Sequence, residues 1–225
     1  DTSGLTVVGK TGTVAASGTV AATIDASGQY MVAAPGTRAT WTYRLEQVSG
    51  EWRISALPQG LVLGAGDIDR SYRSQNLYFF SRDFVTLVPA PITVPVSERG
   101  MATQLVRALL AGPTSWIAPA VRTAIPDGTR LALDAVPVVD GVAQVSLSRE
   151  ALAADGPARQ RISAQLVWTL GQLADVDAVS ITVNGQPFVV PGAPSVQPVT
   201  SWTALGPDAM SPSTTAYGLS DKGVV

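Results

Sequence analysis

The sequence predicts an α+β protein, in which a mainly β first segment precedes a layer of two helices on one face of a sheet. Three observations point there. Residues 5–63 alternate apolar and polar positions between glycine-containing breaks, with no helical period. From residue 75 the periods interleave as strand, strand, helix, hairpin, helix, strand. Charged residues are 14% of the chain, below the roughly 25% of a typical soluble domain, while 21 Gly and 16 Pro favour short strands and turns over long surface helices.

In the first segment, Trp41, Tyr43 and Leu45 alternate with Thr42, Arg44 and Glu46, the mark of a strand with one buried face. Ser49-Gly50 breaks the run and Glu51–Ser55 resumes it, which reads as a hairpin. Residues 13–15, 20–24 and 30–32 are further short strands, and Trp41, Tyr43 and Trp52 are expected in a core. No helix is evident before about residue 67, so this segment reads as a sheet without its usual covering helices.

Residues 67–72 read as one helical turn, then Leu77–Phe80 and Phe84–Val88 as two strands joined at Ser81-Arg82-Asp83. Ser97 is a plausible N-cap for a helix carrying Met101, Leu105, Ala108 and Leu109 and stopped by Gly112-Pro113. Residues 130–133 and 142–147 read as a second hairpin with Asp140-Gly141 between them. Ile162, Leu166, Leu170 and Leu173 form an apolar helical stripe over about 158–173, and Val179, Ile181 and Val183 alternate up to the Asn184-Gly185 turn. Leu109, Leu166 and Ile181 belong to the expected core. From Pro191 the composition turns to Pro, Gly, Ser and Thr, which predicts an extended segment laid across a surface and held chiefly by Trp202. The expected boundaries are therefore 1–66, 67–192 and 193–225.

Chemistry is scarce. With neither Cys nor His, thiolate and imidazole ligands and the Ser-His-Asp and Cys-His nucleophile systems are absent. Net charge is −2, and no run of Lys or Arg is suited to several phosphates, so nucleic acid is not an expected partner. Asp67 and Asp69 point apart on a helix, and Asp175 and Asp177 sit in a turn; both pairs read as solvated polar positions rather than metal or glycosidase sites. Gly64-Ala65-Gly66 lacks the Lys-Ser/Thr of a phosphate loop, and neither G-x-S-x-G nor S-x-x-K occurs. No catalytic residue, cofactor site or metal site is expected. Trp116 and Trp202, in turn-like or extended regions, are the candidate interface anchors. No stretch approaches 18 apolar residues and the first residues carry no basic or apolar leader, so any anchor is expected outside this segment.

The run Leu105–Thr114, followed by Thr123-Ala124-Ile125-Pro126-Asp127-Gly128-Thr129, resembles the core pattern of GerMN domains. Gly141–Ser148, Gln165–Leu170 and Val179–Gly185 follow in the family's order, so the resemblance covers roughly residues 75–190. Gly50–Ile54, Leu57–Gly60, Leu77-Tyr78-Phe79 and Leu87-Val88-Pro89 look like the LpqB lipoproteins of actinobacteria. This resemblance implies that 1–66 is the C-terminal part of a domain like nuclear transport factor 2, that 67–192 is a GerMN domain, and that 193–225 leads to a propeller. It also implies a non-catalytic lipoprotein held on the extracytoplasmic face of the cell membrane by an N-terminal lipid, acting on the extracellular domain of an MtrAB-type sensor kinase. The chain departs from the pattern in lacking the lipobox cysteine. Binding of cell-wall glycan or peptide is the rival reading, and a cleft with convergent acids and aromatics would favour it.

Overall fold

Strand alternation yields two different outcomes in the two units into which the chain divides. The first comprises Asp1–Arg73 with Thr93–Val96, and the second Ser74–Ile92 with Ser97–Val225. The computed structural model describes residues 2–96, 100–209, 219–220 and 223–224.

In the first unit, β1 (Thr2–Val8), β2 (Thr11–Thr19), β5 (Arg38–Val48) and β6 (Glu51–Ala56) make an antiparallel sheet in the order β1-β2-β5-β6, and β3 (Ala22–Ile24) pairs with β4 (Tyr30–Val32). Ser49 and Gly50 both take positive φ, 52° and 85°, the backbone that a two-residue hairpin with right-handed twist requires. The Asp25 carboxylate closes the β3–β4 turn by accepting from the Ser27 and Gln29 amides at 2.8 and 3.0 Å. These bonds and the Ser27 hydroxyl hold its pKa below the usual carboxylate value. A seven-residue helix, α1 (Ala65–Ser71), ends the run and buries no residue.

Register sorts the side chains. Leu5 faces Val14 and Val14 faces Tyr43; Ala16 faces Trp41; Leu45 faces Ile54 and Gln47 faces Trp52. Because side chains alternate with a period of two, these residues share one face, and Thr6, Thr13, Arg44, Glu46 and Arg53 share the other. The apolar face is uncovered. Trp41 and Tyr43 are half-buried, but Trp52 is 41% exposed and Ile54 55%. The expectation of a buried Trp52 is thereby corrected: it lies on the expected face, but that face buries no side chain among the described residues.

The second unit holds the core. Here β7 (Tyr72–Ser81) lies between β8 (Leu87–Pro95) and the short β9 (Val121–Arg122). The strand expected at 84–88 begins instead at Leu87, because Phe84 adopts φ 59° in the turn. It runs on through Pro89 and Pro91, which an edge strand tolerates. Helix α2 (Met101–Ala111) starts after Gly100 and stops at Gly112, whose φ of 92° a side chain would resist. Ser97 lies outside the described residues. Thr103, Leu105, Val106 and Leu109 form its buried face.

Across the turn at Asp140 and Gly141, β10 (Val138–Val139) pairs with β11 (Val142–Leu147). Residues 130–133, expected as the hairpin's first strand, contribute only the bridge Leu131–Leu147 and flanking backbone bonds. Helix α3 (Gly156–Leu170) then crosses to β12 (Ala178–Val183), which pairs parallel to β11, Val145 opposite Ile181. Asp155 caps α3 by accepting from the Ala158 amide at 2.8 Å, with Pro157 in the first turn, where its missing N–H costs nothing. After β12 come β13 (Gln186–Pro187) and β14 (Val196–Pro198), both antiparallel to β12 along the same edge. Ala143, Val145 and Leu147 pack with Val179, Ile181 and Val183 under α3, and α2 packs on α3.

Candidate interaction site

Helix α3 is buried on more sides than its apolar stripe foretells. Ile162, Leu166 and Leu170 face the core, yet Ser163, Gln165 and Thr169 are also buried, and each has a partner. A buried polar group without a partner costs about 1–3 kcal/mol, so these positions are informative. The Gln165 amide accepts from the Ala124 N–H at 2.9 Å and donates to the Tyr78 carbonyl at 3.0 Å. The Thr169 hydroxyl accepts from the Tyr78 N–H at 3.1 Å. Just past the helix, the Gln172 amide accepts from the Asn76 N–H at 2.9 Å and donates to the Asn76 carbonyl at 2.6 Å. Together these bonds stitch β7 and the 123–125 loop to one helix.

The other flank of α3 receives the tail. Gln197 on β14 is buried and its side-chain amide oxygen accepts from the Ser163 hydroxyl, and the Trp202 indole N–H donates to both the Ser163 hydroxyl at 3.1 Å and the Gln197 side-chain oxygen Oε1 at 2.8 Å. Trp202 takes φ 64°, a left-handed backbone uncommon for a large residue, and its carbonyl accepts from the Trp168 indole at 3.3 Å. Phe80, Leu87 and Ala164 form the cluster against which Tyr78, Phe84, Trp168, Trp202 and Leu205 pack. The Thr86 hydroxyl donates to the Gly206 carbonyl at 3.0 Å, and a Cβ at Gly206 would stand 2.4 Å from the Trp168 ring, so only glycine fits there. Residues 196–209 are thus part of the second unit; 210–218 lie outside the described residues.

The two expected interface anchors take opposite roles. Trp202 turns inward and ties the tail down. Trp116 is 53% exposed on the turn that follows α2. That turn is fixed beneath it: Ile117 is buried, its amide and that of Ala118 donate to the Thr114 carbonyl at 3.1 and 3.0 Å, and the Ala120 amide donates to the Ile117 carbonyl at 2.8 Å.

The carboxylate pairs gather no third ligand. Asp67 pairs with Arg70 on α1, Asp175 and Asp177 are exposed, and the Asp177 carboxylate lies against Gly141 where a Cβ would collide. Among the described residues no cluster of three or more acidic side chains is spaced to hold a metal ion. No helix among them is long and apolar enough to cross a membrane.

At the C-terminal end of α3 a cleft of about 300 Å³ opens between Tyr78, Trp168, Gln172, Val199, Thr200 and Thr203. The Tyr78 and Trp168 rings stand 5.4 Å apart and tilted by 56°. Burial raises the Tyr78 phenol above its usual pKa, a hydrogen bond from Asn76 opposes this, and the nearby Asp208 carboxylate adds to it. Sequence reasoning missed this cleft, because half of its wall comes from a tail without periodic signal.

Comparison with known proteins places both units. Residues 76–189 match the Germane family, described as sporulation and spore germination, and residues 2–69 match the N-terminal domain of lipoprotein LpqB. Lipoprotein LpqB of Thermobifida fusca is 40% identical over 208 residues, covering 89% of this chain and 33% of that protein. Lipoprotein LpqB of Streptomyces coelicolor is 34% identical over 189 residues, covering 77% of this chain and 31% of that one. The chain therefore spans about a third of the length of these curated relatives. Among solved structures, the tandem GerMN domains of the sporulation protein GerM from Bacillus subtilis are similar at 26% identity and a TM-score of 0.43, over 52% of this chain and 40% of that one.

Proposed function

Because the chain belongs to the Germane family in its LpqB lipoprotein form, we propose that it is a non-catalytic interaction module, held at the extracytoplasmic face of the membrane by a lipid attached outside these residues. In this reading residues 1–66 are the end of a domain like nuclear transport factor 2, and 193–225 lead toward a propeller. Its partner is the extracellular domain of a two-component sensor kinase of the MtrAB type.

One observation carries the interaction role: a large aromatic, Trp116, is held out to solvent on a turn whose base is buried and hydrogen-bonded. Aromatic anchors on rigid supports dominate protein interfaces, since they bury much area while losing little conformational entropy. Calorimetry of the chain with the purified kinase ectodomain tests it. Binding is expected, with Trp116→Ala weakening it about thirtyfold, the measure of a hot-spot aromatic. The reading fails if the wild-type chain evolves no heat of binding, and the choice of anchor fails if Trp116→Ala binds as the wild type does.

A further inference from the structure

The cleft at the end of α3 has a chemistry that the interaction reading does not use. Its two aromatic rings, Tyr78 and Trp168, meet at 56° with centroids 5.4 Å apart, so they form an open corner rather than a stack. An aromatic face is the negative end of a quadrupole and attracts a cation placed within about 6 Å of the ring centre. Val167, Trp168 and Gly171 put the C-terminal end of α3 at the cleft, and the helix dipole is negative there. No Lys or Arg lines the cleft. The Trp168 indole N–H already donates to the Trp202 carbonyl, and the Gln172 amide is committed to Asn76 and Thr169. The space is lined by the Tyr78 and Trp168 side chains, the apolar Val167 and Val199, and the exposed Thr200 and Thr203. A cavity of 300 Å³ is at the small end for ligand sites, sufficient for a headgroup rather than a whole cofactor.

We propose that this corner binds an organic ammonium group, seated on the Tyr78 and Trp168 rings at the negative end of α3 and supplied either by a small amine or by a lysine side chain of a partner. The walls come from both the GerMN core and the docked tail, so the site exists only while residues 199–208 are in place. This proposal stands apart from the Trp116 surface and survives or fails independently of it.

The test is an NMR titration of the 225-residue chain, following the indole N–H of Trp168. Choline and Nα-acetyl-lysine methylamide are the cations. Their neutral isosteres, 3,3-dimethylbutan-1-ol and Nα-acetyl-norleucine methylamide, are the controls. The Trp168 signal is expected to shift saturably with at least one cation, about five- to thirtyfold more tightly than with its isostere. A response to choline alone identifies a small amine, and a response to the lysine amide identifies a side chain; either supports the proposal. The proposal is overturned if both cations leave Trp168 unmoved at tens of millimolar or if the isosteres bind equally well.

Discussion

The two sheets share a strand grammar and differ in what lies over it. On β5 of the first unit Trp41, Tyr43 and Leu45 alternate with polar residues, as Val179, Ile181 and Val183 do on β12 of the second. The β12 residues are buried under α3, whereas the first sheet buries no side chain among its described residues and leaves Trp52 and Ile54 in solvent. Alternation therefore decides which side chains share a face, while burial depends on a second layer. Leu166 and Trp52 look like equal core candidates in the sequence, yet they belong to different energetic classes.

Substitutions should separate those classes, the largest effect falling where the layer is closed. Leu166→Ala removes a fully buried side chain and is expected to cost about 3–5 kcal/mol in denaturant unfolding of the second unit. Trp52→Ala is expected to stay within about 1 kcal/mol in the same experiment; equal losses would break the comparison. Trp202→Ala comes next. It should cost about 2–3 kcal/mol, since the ring is half-buried and its N–H serves Ser163 and Gln197. Limited proteolysis should then cut near residues 196–209 faster while the β11–α3–β12 core stays folded, and equal cutting of mutant and wild type would sink the idea of a docked tail.

A charge on the open face should act on solubility rather than stability. Trp52→Lys combined with Ile54→Lys is expected to lower binding of a hydrophobic dye and to leave the melting of the second unit within about 0.5 kcal/mol. Undiminished dye binding would mean that the uncovered surface lies elsewhere.

The smallest effect is a local pH response. Asp83 accepts from the Ser81 hydroxyl and the Val85 amide, and these bonds hold its pKa below the ordinary aspartate value of about 3.8. A lowered folded-state pKa means that the contribution is complete above 3.8 and is lost as pH falls through the lower, folded value. The Val85 amide resonance should therefore move only below about pH 4; movement near neutrality would contradict the assignment.

Legibility followed local chemistry. The α3 helix was readable from its apolar stripe, and the turns at Ser49-Gly50, Asp140-Gly141 and Asn184-Gly185 from residues that accept positive φ. Less readable was what depends on distant partners. Nothing local marks β11 and β12 as a parallel pair, and Leu131 bridges Leu147 only because the chain detours through 133–137 before the Asp140 turn. Gln165 and Gln172 carry no motif, and their roles emerge only when β7 lies alongside. Trp116 and Trp202 both read as interface anchors and Trp202 also as the residue that holds the tail, but the sequence did not show that its partners are Ser163 and Gln197.

The glycine contact at Gly206 has a consequence for biosynthesis. The residue that seats against Trp168 is translated well after the helix it completes. At ribosomal speeds of 5–20 residues per second the interval is on the order of two to seven seconds. Throughout it Trp168 and Ser163 await Trp202, and from Val183 until Val196 emerges part of the β12 edge is also unpaired, an edge beside apolar surface that invites wrong pairing. The helix surface around Trp168 and Ser163 is therefore most open to wrong contacts until Trp202 and Gly206 have emerged to cover it.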